Sequence, residues 1–204
     1  MVWTGNAGGG TISPCCYFSI VKFPVDFDVT FERDCGWGAD SMFWDRRVNE
    51  MALTIQHAFE SVLFLQHFPH SLITIHLQIL SQDGSLLSTL LNASTLALID
   101  AGIPMSDYIC SCTAGSTSSY SSNDESADPL LDLNGGEEQE LPFLTVATLG
   151  ESDRVVVLVC ETRVQVGRLE GMLAVGVDGC KQVRSVLDRV VRERGGRVLE
   201  GTKL

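Results

Sequence analysis

The stretch "SLLSTLLNASTLALID" (Ser85–Asp100) carries no charged side chain before its last residue. On a 3.6-residue helical wheel its Leu, Ile and Ala positions fall on almost every side, so a helix here has no solvent face of its own. It has to be covered on most sides, which demands a layered fold with sheet and further chain around it. The flanking residues fit that demand. "SLITIHLQIL" (Ser71–Leu80) alternates and is rich in β-branched residues, which predicts a strand with Ile73, Ile75, Leu77 and Ile79 facing inward. Asp83-Gly84-Ser85 is the tight turn into the helix, while Gly102 and Pro104 supply its C-cap and stop. That turn has the shape that offers backbone N–H groups to an anion. Yet no Lys or Arg occurs between Ser81 and Pro104.

The rest of the chain extends the pattern. From Arg46, the residues Met51, Ile55, Ala58, Phe59, Val62 and Leu65 recur at helical spacing, and Phe68-Pro69 closes the segment. "DYICSCTAG" (Asp107–Gly115), "PFLTVATLG" and "RVVVLVCETRV" read as strands, the last two joined at Glu151-Ser152-Asp153. A final helix is predicted from about Arg168 to Arg194, with Leu169, Leu173, Gly176, Cys180, Val183, Leu187 and Val190 as its apolar stripe and Arg184, Arg189 and Arg192 off it. Residues 1–45 are rich in Gly, Cys and aromatics, hold no sustained period and yield no element. The order predicts an α+β fold, a mixed sheet with helices packed on one side.

Charge narrows the function classes. The 204 residues hold 26 acidic and 14 basic side chains, a net −12. A chain this acidic is by itself a poor binder of nucleic acid, whose affinity comes mostly from Lys and Arg; a local basic patch or a partner must supply the charge. The segment 116–140 contributes seven acidic residues and no basic ones. Its Ser-rich half predicts a flexible insertion, and "DPLLDLN" is apolar enough to dock on the body. The seven cysteines form no metal-binding spacing, which points to reduced thiols in a soluble intracellular protein, with Cys110 and Cys112 as small buried residues on one strand face. His57, His67, His70 and His76 do not make a ligand set; His57 and His67 are expected on exposed helix faces, and His76 outward on its strand.

"ILSQDGSLLSTLLNASTLALIDAGIPMSDYICSCTAG", with "DRRVNEM" upstream and "LEGMLAVGVDGCKQVRSVLDRVV" downstream, resembles the RNase PH family. It is similar in particular to ring subunits of the eukaryotic RNA exosome, of the lineage descending from the archaeal phosphorolytic subunit. The resemblance spans residues 45–200 and implies a ribosomal-S5-type α+β fold, with a domain over 46–200 interrupted by the acidic insertion at 116–140. It implies hetero-oligomeric partners as well: other RNase PH-like exosome subunits in a hexameric ring, with RNA threading the assembled channel and no membrane. The compartments it implies are nucleus (nucleolus) and cytoplasm, and the processes RNA degradation and rRNA processing.

Active members attack the last phosphodiester of an RNA 3′ end with inorganic phosphate, which calls for cations, Mg²⁺ and carboxylates. The position of their phosphate-contacting Arg, five before Asn92, is Leu87 here; a second commonly basic position is Gln56. Their acidic pair maps onto Asp132 and Glu138, with the spacing kept but one side chain a methylene longer. The phosphate site implied by the resemblance is therefore vestigial, with no intact catalytic residue, no metal and no cofactor. Arg46 and Arg47, read as a helix N-terminus, align with the channel-facing basic stretch of the family, and His70 with a further basic position, so these three are the expected RNA contacts. Members of the family also carry more sequence upstream, including an Arg-Asp-Gly-Arg opening that residues 1–45 do not recover. A divergent or truncated N-terminus, poorly ordered over 1–40, is the expectation. The leading reading is a non-catalytic scaffold. The competing ones are a phosphate-dependent 3′-to-5′ exoribonuclease using Mg²⁺ on Asp132 and Glu138, and a truncated fragment that does not assemble.

Overall fold

The computed structural model describes residues 16–23, 27–33, 41–68, 72–79, 81–117, 128–164 and 166–201. They fall into two compact units, Met1–Ser106 and Asp107–Leu204. The class is α+β as read from the sequence, but the strands divide between two sheets rather than sharing one.

In the first unit, β1 (Cys16–Phe23), β2 (Phe27–Arg33) and β3 (Leu72–Ile79) form a three-stranded sheet in the order β1-β3-β2. β3 is antiparallel to β1 and parallel to β2. A parallel neighbour requires a crossover, and α1 (Ser41–Glu60) provides it, packing against β2 through an apolar stripe in which Met51, Ile55, Ala58 and Phe59 are buried. Two corrections to the sequence reading follow. Residues 1–45 contribute two strands where none was assigned; the rest of the stretch expected to be poorly ordered lies largely outside the described residues. Arg46 and Arg47 are in the second turn of α1 rather than at its N-terminus, where the unfavourable dipole that a cation meets at a helix start has already faded. The helix also stops at Glu60, and Leu65 is 39% exposed in a short 3₁₀ turn, Leu65–His67.

On β3, Ile73, Ile75 and Leu77 are buried as the alternation predicts. α2 (Leu86–Asp100) packs against β1 and β3. Two of its interior hydroxyls bond back within the helix: Ser94 Oγ donates to Leu90 O at 2.7 Å and Thr95 Oγ1 to Leu91 O at 3.1 Å. That back-bonding is what lets a buried helix carry Ser and Thr. The helix ends in a Schellman turn. Gly102, at φ +70°, donates to Ile99 O and Ile103 donates to Leu98 O, which closes two of the last-turn carbonyls.

The second unit is an antiparallel sheet in the order β5-β4-β6-β7, built from β4 (Ile109–Ser116), β5 (Pro129–Leu131), β6 (Phe143–Leu149) and β7 (Val155–Val159). β4 is buried along its whole length. Between β5 and β6 a short helix, α3 (Gly135–Glu140), is capped reciprocally by Asn134 and Glu137. "DPLLDLN" docks as expected, with β5 paired to β4 and Leu133 buried. α4 (Val166–Gly201) lies across β4, β5 and β6. It runs beyond the predicted ends because Gly195 and Gly196 stay helical. Its approach is close: a methyl group added at Gly176 would sit 3.2 Å from Val146 Cγ2. A register shift between Ala147 and Thr148 places Val155 opposite Thr148 and Leu158 opposite Val146.

A stripped phosphate turn and its surroundings

The turn leading into α2 is held in an unusual backbone. Gly84 and Ser85 take positive φ values of 85° and 49°, and the Ser85 side chain does not cap the helix. The Ser85 carbonyl instead accepts from Thr89 N at 3.1 Å, Ser88 Oγ at 2.9 Å and Thr89 Oγ1 at 3.0 Å. Those three donors lock the first turn of the helix. Leu86 and Leu87 follow at 8% and 6% exposure, so the helix start is collared by buried leucine. On α1, Gln56 donates its Nε2 to Glu60 Oε1 at 3.0 Å, an amide–carboxylate bond within one helix.

Asp132 is exposed beyond β5, at φ 58°, with its N–H donated to Thr113 O at 2.8 Å. Glu138 is half-buried on α3. The carboxylate that serves the helix cap there is Glu137, accepting from Asn134 N at 3.0 Å. Among the described residues no group of three or more His, Cys, Asp or Glu side chains could hold a metal ion. Arg46 and Arg47 are exposed, and Arg46 Nε meets Glu50 Oε1 at 3.2 Å. His70 lies outside the described residues. His57 and His67 are exposed; His57 Nδ1 is 3.5 Å from Glu60 Oε2 and His67 packs edge-on to Phe64.

Three thiols of the second unit, Cys110, Cys112 and Cys180, are buried. Burial pushes both Cys110 and Cys112 up to about 12, and it raises Cys180 as well. A protonated, desolvated thiol at neutral pH is a packing group.

Sequence reading missed one polar cluster in this unit. Arg184, placed off the stripe of the last helix, keeps only 17% of its side chain exposed; its NH1 is 3.1 Å from Asp107 Oδ1 and its guanidinium lies 5.6 Å from the Tyr108 ring centre. The pair is close, but Arg184 Nε and NH1 have no aligned hydrogen-bond acceptor, so it is an ion pair rather than a fork. Gly150 donates to Tyr108 O at 2.8 Å beside it. A pairing 77 positions apart in the chain leaves no local signal; only the positions of Asp107 at a strand entrance and Gly150 in a turn hint at it.

Comparison with known proteins accords with this architecture. Residues 32–104 match the model of the 3′ exoribonuclease family, domain 1. The chain is 38% identical over 149 residues to the exosome complex component ski6 of Schizosaccharomyces pombe, covering 73% of this chain and 58% of that protein. It is 36% identical over 150 residues to the exosome complex component RRP41 of Homo sapiens, with 73% and 58% covered. Against the RRP41 homologue of Arabidopsis thaliana the figures are 37% over 151 residues, 74% and 59%. The chain thus spans less than two thirds of the length of these relatives. The crystal structure of rice (Oryza sativa) Rrp46 superposes with a TM-score of 0.72 at 18% identity, over 87% of this chain and 83% of that one, a likeness of fold. Residues 32–104 thus carry an RNase PH-type domain, and over about three quarters of its length the chain is a homologue of the ski6 and RRP41 exosome complex components.

Proposed function

We propose that the chain is a non-catalytic RNase PH-like subunit of an exosome-type assembly. In this role it scaffolds a hexameric ring of related subunits, lines part of the RNA channel through Arg46 and Arg47, and leaves cleavage to a separate nuclease. Its working compartments are then those of RNA processing and decay, nucleus and cytoplasm. The observation that carries the reading is the buried Leu87 at the start of α2, where the family resemblance calls for Arg. A phosphate dianion desolvated beside leucine without a counter-ion costs several kcal/mol. The helix terminus returns about 1–2 kcal/mol. The balance opposes bound phosphate, and Gln56, engaged with Glu60, brings no charge to offset it.

The test is incubation of the chain, alone and with its ring partners, with end-labelled RNA in the presence and absence of phosphate and Mg²⁺. The expected result is no phosphate-dependent release of nucleoside diphosphates from its own site. Release that disappears in Asp132→Asn would overturn the reading and favour the exoribonuclease. Failure to co-purify with other subunits would favour a non-assembling fragment.

A further inference from the structure

The last helix concentrates the chain's cations. Five of its 14 basic residues, Arg184, Arg189, Arg192, Arg194 and Arg197, fall between positions 184 and 197 against one Asp and one Glu. Arg184 is consumed by Asp107. Arg189, Arg192 and Arg197 are exposed and form no ion pair among the described residues. At 100° per residue they share one side of α4, with Glu193 between them, and span roughly 12 Å of helix axis.

Two mundane explanations fall short. Basic residues near a helix C-terminus offset the macrodipole, but that effect is confined to the last turn, and Arg189 and Arg192 precede it, since the helix continues to Gly201. Intrahelical pairing with Glu193 at i,i+4 is available to both Arg189 and Arg197, yet neither makes it.

We propose that this face of α4 binds the sugar–phosphate backbone of single-stranded RNA, as a second contact surface separate from Arg46 and Arg47. The inference rests on the reading of the chain as an RNA-handling subunit. The ligand class follows from the chemistry. Guanidinium groups pair with phosphate oxygens in bidentate fashion, and a row of them suits a polyanion with a charge at every step. No aromatic side chain occurs between Lys181 and Gly201, so no ring there provides a stacking platform for bases. Binding is therefore blind to sequence and steeply dependent on salt.

The experiment is fluorescence anisotropy of the full chain with a labelled single-stranded RNA between about 50 and 200 mM salt. Each phosphate contact on a single strand contributes a slope of about −0.7 in log K against log salt, so R189Q/R192Q/R197Q should flatten the slope by about 2. R46Q/R47Q should flatten it separately and additively. Glu193→Gln removes the acid set between these arginines, leaving Glu200 as the other acid on this face, and should tighten binding, a readout that does not depend on the triple variant folding. An unchanged slope in a triple variant with native circular dichroism overturns the proposal, as does an unchanged affinity in Glu193→Gln or no RNA binding at the lowest salt. Polyglutamate displacing RNA equally per charge would also overturn it, by identifying a surface for acidic protein. The phosphate-release assay above is independent: nuclease activity would refute the scaffold reading while leaving this slope intact.

Discussion

Gly150→Ala should destabilise the second unit by about 2–3 kcal/mol, through two separable effects. Gly150 sits at φ +62°, where an L side chain costs about 1 kcal/mol. An added Cβ would also land on the Asp107 carboxylate, with Oδ2 and Cγ both inside van der Waals range and Arg184 NH1 2.7 Å away. Asp107 must then swing out, leaving a guanidinium with 17% exposure unpaired. Stranding a fully buried charge costs about 3–5 kcal/mol. Here the Asp107 side chain is 39% exposed, so water compensates in part and about 1–2 kcal/mol is the working figure. Urea denaturation of the purified protein measures the total, and a double-mutant cycle separates the parts. In an Asp107→Ala background the obstructing carboxylate is gone, so adding Gly150→Ala should cost only the backbone share, about 1 kcal/mol. A cost for Gly150→Ala that stays the same in both backgrounds would refute the collision argument. A cost below about 0.5 kcal/mol in the native background would refute both parts.

Two further outcomes are expected. Asp132→Gly should raise stability by about 0.5–1 kcal/mol in the same denaturation assay, since it relieves a positive φ at an exposed site. Cys110 and Cys112 are raised by burial from 9.0 to about 12, so they hold their protons in the folded state while the unfolded chain loses them first. Stability from this source is complete below pH 9 and falls as pH rises from 9 towards 12, which denaturation midpoints across that range will show.

Much of the fold was legible because the elements that carry it have one-dimensional periods. β3 announces itself by alternation, α2 by its freedom from charge, and α4 by a stripe that ends up against β4 and β6. What stayed illegible is whatever pairing decides. β1 and β2 become strands through the register they share with β3, some 50 residues downstream. The division into two sheets likewise depends on which strands find each other. The last helix was expected to end at about Arg194, and it passes through Gly195-Gly196 to Gly201. At the candidate site, the loss of a cation at Leu87 was readable from spacing and family likeness. The left-handed Ser85 and Asp132 were not, since neither residue type demands that conformation.

The single extra residue within β7, Val156, acts as a change of phase. Strict alternation would put Val155 on the same side as Val157, which is buried. The slip turns it to the side of Leu158 instead, towards the helical layer, yet α4 packs mainly on β4, β5 and β6. Both side chains consequently stay wet, 38% and 49% exposed, along the outermost strand. Removing one residue at that point would exchange the wetted and the dry sides of the margin, so a change of length inside this strand is poorly tolerated.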